Sequence, residues 1–174
     1  MKEIKLTQGK VALVDDEDFE KLSRYKWCAY KNGHVFYAQS TVPRNKKTVF
    51  LNMAHLVLPP PVGMCIDHID RNGCNNQKHN LRVCSKSQNG ANSESYTGIS
   101  KYKGVCWSFY HKKWMSRIML ERKRTHLGYF KSEKEAALVY NVAAVRYFGE
   151  FARLNVINQV NREELLEKMK ELGL

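Results

Sequence analysis

The alternation of apolar and polar residues divides the chain into many short elements. Val11-Ala12-Leu13-Val14 is a brief apolar run. The acids at 15–18 then supply the N-cap and first turn of a helix reaching about Arg24, where negative charge meets the positive end of the helix dipole. Positions 27–30 and 34–40 flank Asn32-Gly33, a pair that predicts a hairpin turn. A strand is expected at 48–51, after the basic turn 44–47, and a short helix at 53–58, which Pro59-Pro60-Pro61 must stop. Two further strands are expected at 64–67 and 81–84, with a short helix from about Ser85. Small polar residues at 92–99 read as a linker. Beyond them, 102–108, 113–120 and 124–130 read as three strands, with turns at 110–112 and 121–123. Ser132 and Glu135 make a capping box that opens a helix to about Phe148. Ala136, Tyr140, Ala143 and Tyr147 share one face of it, with Ala137 and Ala144 beside them, and the small alanines let it lie close on a sheet. Residues 161–172 read as a last capped helix, with Leu165, Leu166, Met169 and Leu172 along one side for docking on its own protein.

Composition narrows the class. With 174 residues, 43% of them hydrophobic and 26% charged, the chain has the make-up of one ordinary folded domain or two small ones. No apolar run approaches the length of a membrane span and no signal-peptide pattern begins at Met1, so the expectation is a cytoplasmic protein without a membrane partner. The cysteines at 28, 65, 74, 84 and 106 form no C-x-x-C pair, which favours free buried thiols over structural zinc. The net charge is +12, and the excess sits in 25–97 and 98–155, at +6 and +8, while each end carries −1. A polyanion such as nucleic acid is the natural partner of that surface.

The stretch 66–89, IDHIDRNGCNNQKHNLRVCSKSQN, carries the candidate chemistry. Asn, Asp and Gly crowd turns on their own account, so an isolated Asp-His pair means little. Here Asp67 and His68 are followed by Asn80 and, 22 positions after the aspartate, by Asn89. A carboxylate and an amide oxygen suit a hard divalent cation. An imidazole takes a proton from water near neutral pH, and a second amide can fix its tautomer. With its flanking Gly63 and Leu81-Arg82-Val83, the stretch resembles the HNH nuclease motif of phage and intron-encoded homing endonucleases. The resemblance implies two strands and a helix around one metal ion, Mg²⁺ with Mn²⁺ as the alternative. It makes Asp67 and Asn89 the metal ligands, His68 the general base, and Asn80 the residue that orients it. It also implies 5′-phosphate and 3′-hydroxyl ends. Relatives often carry His-Arg just upstream, where this chain has Ala54-His55, and His55 stays outside the catalytic set.

The second half resembles the plant Apetala/ethylene-response-factor DNA-binding domain. The landmarks are Tyr102-Lys103-Gly104-Val105, Trp114, Leu127-Gly128-Tyr129-Phe130, Ala136-Ala137, Tyr140, Ala143-Ala144, Phe148-Gly149-Glu150 and Leu154-Asn155. In that family the sheet enters the major groove, which is wide enough for β structure. By position Lys103, Ser108, Arg117, Arg124 and His126 would face DNA, and Arg122 and Lys123, at a strand turn, would meet phosphate. Cys106 and Met119 stand where plant members carry Arg, and His126 where they carry Trp, so the plant target sequence does not transfer.

The sequence therefore predicts an α+β protein. A ββα-metal HNH nuclease unit with N-terminal β hairpins (1–92) precedes a linker (93–99), a three-stranded antiparallel sheet packed on one helix (100–157), and a C-terminal helix (158–174). The expected activity is site-specific cleavage of double-stranded DNA by a monomer in a bacterial or phage-infected cell. The rival is a regulator that binds DNA without cutting it. RNA binding has less support, because no aromatic stacking motif of the usual RNA modules is present.

Overall fold

The computed structural model describes residues 1–45, 47–93, 99–121 and 123–157. The expected tail helix, Arg122 and most of the linker lie outside them. The described residues are mixed α/β, with four small antiparallel sheets and few helices among them, and the chain divides into two compact units, Met1–Lys86 and Ser87–Leu174.

The first unit opens on a strand that the pattern of its residues conceals. β1 (Lys2–Lys5) pairs antiparallel with β2 (Val11–Val14), yet of its four residues Ile4 alone is buried. α1 (Asp16–Leu22) follows with Asp16, Glu17 and Asp18 in its first turn. Asp15 occupies the N-cap position, but its side chain makes no cap bond. β3 (Cys28–Asn32), β4 (Val35–Arg44) and β5 (Lys47–Asn52) form a sheet in that order. β4 runs past Pro43, beyond its expected end. β3 stops opposite Gln39, so at Pro43 the strand has one neighbour and needs no donor on its other side. α2 (Met53–Val57) is capped by Asn52, whose side chain accepts from the Ala54 N–H at 3.0 Å. Val14, Leu22, Met53 and Ala54 are fully buried together, and Trp27 joins them by donating its indole N–H to Leu22 O. β6 (Cys65–His68) and β7 (Leu81–Cys84) make a hairpin in which Asp67 pairs with Arg82 and His68 with Leu81. α3 (Lys86–Asn92) follows β7 in the chain.

In the second unit β8 (Val105–Ser108), β9 (Lys113–Leu120) and β10 (Lys123–Phe130) form an antiparallel sheet in the order β10-β9-β8. α4 (Glu133–Phe148) begins with both halves of the capping box between Ser132 and Glu135. Its Tyr140, Ala143 and Ala144 pack with Ile118 of β9 and with Ala91 of α3, and its Ala136 and Ala137 pack with Tyr102 and Val105. Tyr147 departs from the expected face and is half exposed. The helix instead buries a wider arc, because Val142 and Val145 pack under Leu154 from the segment that follows it. Buried Asn141 closes that segment by bonding both the N–H and the C=O of Asn155, whose own amide bonds both backbone groups of Lys103.

Gly104 has φ +77°, and a Cβ there would lie 2.0 Å from Tyr140 Cδ2 and 2.7 Å from Arg117 O. Backbone strain and overpacking each cost about 1–3 kcal/mol. Gly104→Ala is therefore expected to destabilise the second unit by about 3 kcal/mol. Hydrogen exchange checks this directly, with protection falling in β8, β9 and α4 and holding in the first unit.

Candidate active site and nucleic-acid interface

Ile66, Asp67 and His68 are all buried, because β6 is covered on both faces. The Asp67 carboxylate meets Arg82 across the hairpin, with Arg82 Nε 2.9 Å and Nη2 2.7 Å from Oδ2. Direct pairing of the two strands sets that contact, since residues opposite one another share a face.

The loop between the strands is built by asparagines. Asp70 accepts from the Asn72 N–H at 2.8 Å and from the side-chain amides of Asn75 and Asn80 at 2.8 and 2.9 Å. Asn80 also accepts from the Asp70 N–H and donates to Asn75 O, so it ties the two ends of the loop together. Burial pushes the Asp70 carboxyl up, but the donors from Asn75, Asn72 and Asn80 together outweigh it and hold the group below the ordinary carboxylate range. Arg71 takes φ +66°, a left-handed conformation that this closed loop imposes on it. The N-terminal strands pin the loop from outside. Leu13 N–H donates to Cys74 O and Asn76 N–H donates to Leu13 O, each at 2.8 Å. Asp15 accepts from the Lys78 N–H at 2.7 Å and from the Gln77 amide at 3.2 Å, which explains why it does not cap α1. That backbone bond is also the main reason its carboxyl lies below the usual range.

Asn76 Oδ1 stands 3.3 Å from His68 Nε2, and Asn76 is 1% exposed. An oxygen acceptor there puts the proton on Nε2 and the lone pair on Nδ1. The position beside the imidazole that the motif assigns to Asn80 is thus held by Asn76, while Asn80 secures the loop. Tyr37 packs its ring edge-on to His68 at 5.8 Å between centroids. Gly73 permits this, since a Cβ there would meet Tyr37 Cδ1 at 2.5 Å. Burial lowers the His68 pKa below its ordinary value, against smaller opposing contributions from Asn76, Asp70 and Asp67. The imidazole is therefore neutral at neutral pH. Asn76 and Tyr37 were not among the residues singled out by the motif, and Arg82 stood there as a flanking landmark with no role assigned. Asn89 is half-buried on α3, in the second unit.

The donors that the resemblance nominates are a carboxylate, Asp67, and an amide, Asn89. That is the chemistry of a hard divalent cation, which keeps several waters and leans on substrate phosphate. Among the described residues no three His, Cys, Asp or Glu side chains cluster into a closed metal cage.

On the second unit, strand register places Ser108, Arg117, Arg124 and His126 on the sheet face opposite Ile118 and Ser116, which turn toward α4. Arg124 and His126 are exposed there. The Ser108 hydroxyl accepts from the His111 N–H within the turn. Lys123 pairs with Leu120 at the strand end and is exposed on the other side of the sheet from Arg124. Lys103 Nζ donates to the carbonyls of Gly90 and Ser93 at 3.0 and 2.7 Å, and to that of Ala91, so its charge serves the C-terminal end of α3. No helix among the described residues is long and apolar enough to cross a membrane.

Residues 59–91 match the family model described as HNH endonuclease. An uncharacterised HNH endonuclease of Acanthamoeba polyphaga mimivirus is 28% identical over 152 residues, covering 87% of this chain and 78% of that protein. Protein 3.8 of Escherichia phage T7 is 30% identical over 96 residues, 55% of this chain and 78% of the phage protein. An AP2-like ethylene-responsive transcription factor of Arabidopsis thaliana is 37% identical over 73 residues, 40% of this chain but 13% of the plant protein. No solved structure matches the chain. The hairpin and its motif define a chain with an HNH endonuclease domain. It belongs to the same family as Protein 3.8 of phage T7.

Proposed function

We propose that this chain is a site-specific DNA endonuclease of the homing type, hydrolysing one phosphodiester bond with a single divalent cation. The observation that carries this reading is the buried Asp67-His68 pair on β6, with the imidazole held neutral beside Asn76 in a loop that asparagines close. His68 takes the proton of an attacking water at Nδ1, and Asn76 keeps the opposite nitrogen protonated. Asp67 and Asn89 would hold the cation, and Arg82 fixes the rotamer of Asp67. When bound, the cation supplies Lewis-acid charge at the scissile phosphate and at the leaving 3′ oxygen. The products are 5′-phosphate and 3′-hydroxyl ends. Mg²⁺ suits the oxygen donors, and Mn²⁺ would substitute.

Binding is assigned to the second unit. Arg117, Arg124, His126 and Ser108 share one sheet face, and Lys123 lies at the strand end on the other side of the sheet. The family resemblance also nominates Arg122, and Lys103, whose ammonium already meets the carbonyls at the end of α3. If about 4–6 phosphates are neutralised, the log–log salt slope of duplex binding, measured in chelator to prevent cleavage, is expected near −4 to −5. Arg124→Ala should make it shallower by about 0.9. Affinity that changes by about one decade or less between 50 and 200 mM salt would assign this face another role.

One Asp67-His68-Asn89 set per chain faces one scissile phosphate at a time, so a monomer bound once should nick. On a supercoiled plasmid carrying one target, open circles are expected first and linear DNA late or at high protein. Linear product formed at once, first-order in protein, would show that both strands are cut in a single encounter.

A further inference from the structure

We infer that Cys65 and Cys84 form a reversible dithiol–disulfide couple at the base of the hairpin that carries Asp67 and His68. The two residues are direct partners in the β6–β7 ladder, and their Sγ atoms lie 3.4 Å apart. Each thiol also lies near the other residue's carbonyl, Cys65 Sγ at 3.3 Å from Cys84 O and Cys84 Sγ at 3.6 Å from Cys65 O. Opposed residues of an antiparallel ladder have Cα atoms about 4.5 or 5.5 Å apart, and both spacings fall within the roughly 4.4–6.8 Å that a disulfide spans. The backbone therefore does not have to move for the bond to form.

Access is unequal, which sets the order of events. Cys65 is partly exposed, while Cys84 is fully buried. A small disulfide of the oxidised-glutathione class is the oxidant. The Cys65 thiolate attacks one of its sulfurs, giving a mixed disulfide at Cys65 and releasing one glutathione thiolate, which takes up the proton that Cys65 lost. Cys84 then attacks Cys65 Sγ and expels the second glutathione, which takes the proton of Cys84. Two cysteine thiols and one small disulfide become one protein disulfide and two small thiols, so atoms and electrons balance. The other cysteines are placed differently. Cys28 and Cys74 donate to the carbonyls of Gln39 and Phe36, and Cys106 sits on β8 in the second unit.

The bond would close a loop containing Asp67, His68, Asn76, Asn80 and Arg82, which is the whole hairpin part of the site. Cross-linking such a loop restricts the unfolded chain, and the oxidised form is expected to melt roughly 5–10 °C higher in its first unit. This inference concerns thiol chemistry and stands whether or not the chain cleaves DNA.

The test uses the full wild-type chain equilibrated in reduced and oxidised glutathione across a range of ratios. Free thiols are trapped by alkylation and peptides are read by mass spectrometry, with thermal melts on the same samples. The expected result is a linked peptide pair joining Cys65 to Cys84 that titrates as one two-electron couple. Melting should follow the linked fraction, and a dithiol reductant should reverse both. Cys84→Ser should stop at a Cys65–glutathione mixed disulfide and show no thermal shift. Wild-type protein that keeps Cys65 and Cys84 alkylated at the most oxidising ratio, or that also stops at the mixed disulfide, overturns the inference.

Discussion

Replacing His68 with alanine is expected to lower the DNA-cleavage rate by about 10²–10⁴-fold while leaving DNA affinity nearly unchanged. That is roughly 3–5 kcal/mol of barrier, the usual contribution of a positioned general base. The two readouts separate because they belong to different parts of the chain. His68 is 7% exposed inside the first unit, where it has little surface to offer phosphate, whereas the sheet face carrying Arg117 and Arg124 belongs to the second. Single-turnover cleavage in Mg²⁺ and a binding titration in chelator measure the two effects on the same preparations. Equal cleavage rates for the variant and the wild type would remove His68 from the mechanism. A parallel loss of binding and cleavage would mean that the substitution had disturbed the fold.

The second large effect is one of stability. Arg82→Ala is expected to destabilise the first unit by about 3–5 kcal/mol, the range for removing one member of a buried ion pair. The Asp67 side chain is 4% exposed and that of Arg82 15%, so water screens neither charge well. A surface pair of the same length would matter far less, typically under about 1 kcal/mol. Arg82→Lys should recover part of the loss, because an ammonium restores the charge but not the two-donor geometry. Urea unfolding followed by hydrogen exchange in β6 and β7 measures it. A loss under about 1 kcal/mol would show that the Asp67 carboxylate is satisfied without Arg82.

Most elements of both units were legible because their signals are local. The Asn32-Gly33 turn, the three prolines after α2 and the capping box at Ser132 each act within a few residues of themselves, and the structure has each of them. β1 was not legible. Of its residues Ile4 alone faces inward, and its pairing with β2 depends on a turn in which Gln8 and Gly9 take positive φ. The positions of Asp67 and His68 could be read from their spacing, but their neighbours could not. The loop holds Asn72, Asn75, Asn76 and Asn80, four chemically identical side chains, and a backbone bond to Leu13, distant in sequence, holds the one that meets the imidazole, Asn76. Lys103 shows the same limit on the other unit. A lysine beside a DNA-facing sheet reads as a phosphate contact, yet the carbonyls it meets lie 10 to 13 positions earlier in the chain. Asp15 reads as a helix cap for the equally local reason that it precedes a helix, while its partners Gln77 and Lys78 come from the far side of the first unit's sequence.

The proposed activity is cleavage of DNA at a chosen site with a bound divalent cation. Sequencing the ends that it leaves on a random-sequence duplex library, with Mg²⁺ and with chelator, tests this most directly. The expected result is 5′-phosphate and 3′-hydroxyl ends that recur at one sequence in Mg²⁺ and vanish in chelator. A library left intact in both Mg²⁺ and Mn²⁺, by protein that binds the same duplexes, would contradict it and make the chain a regulator that holds DNA without cutting.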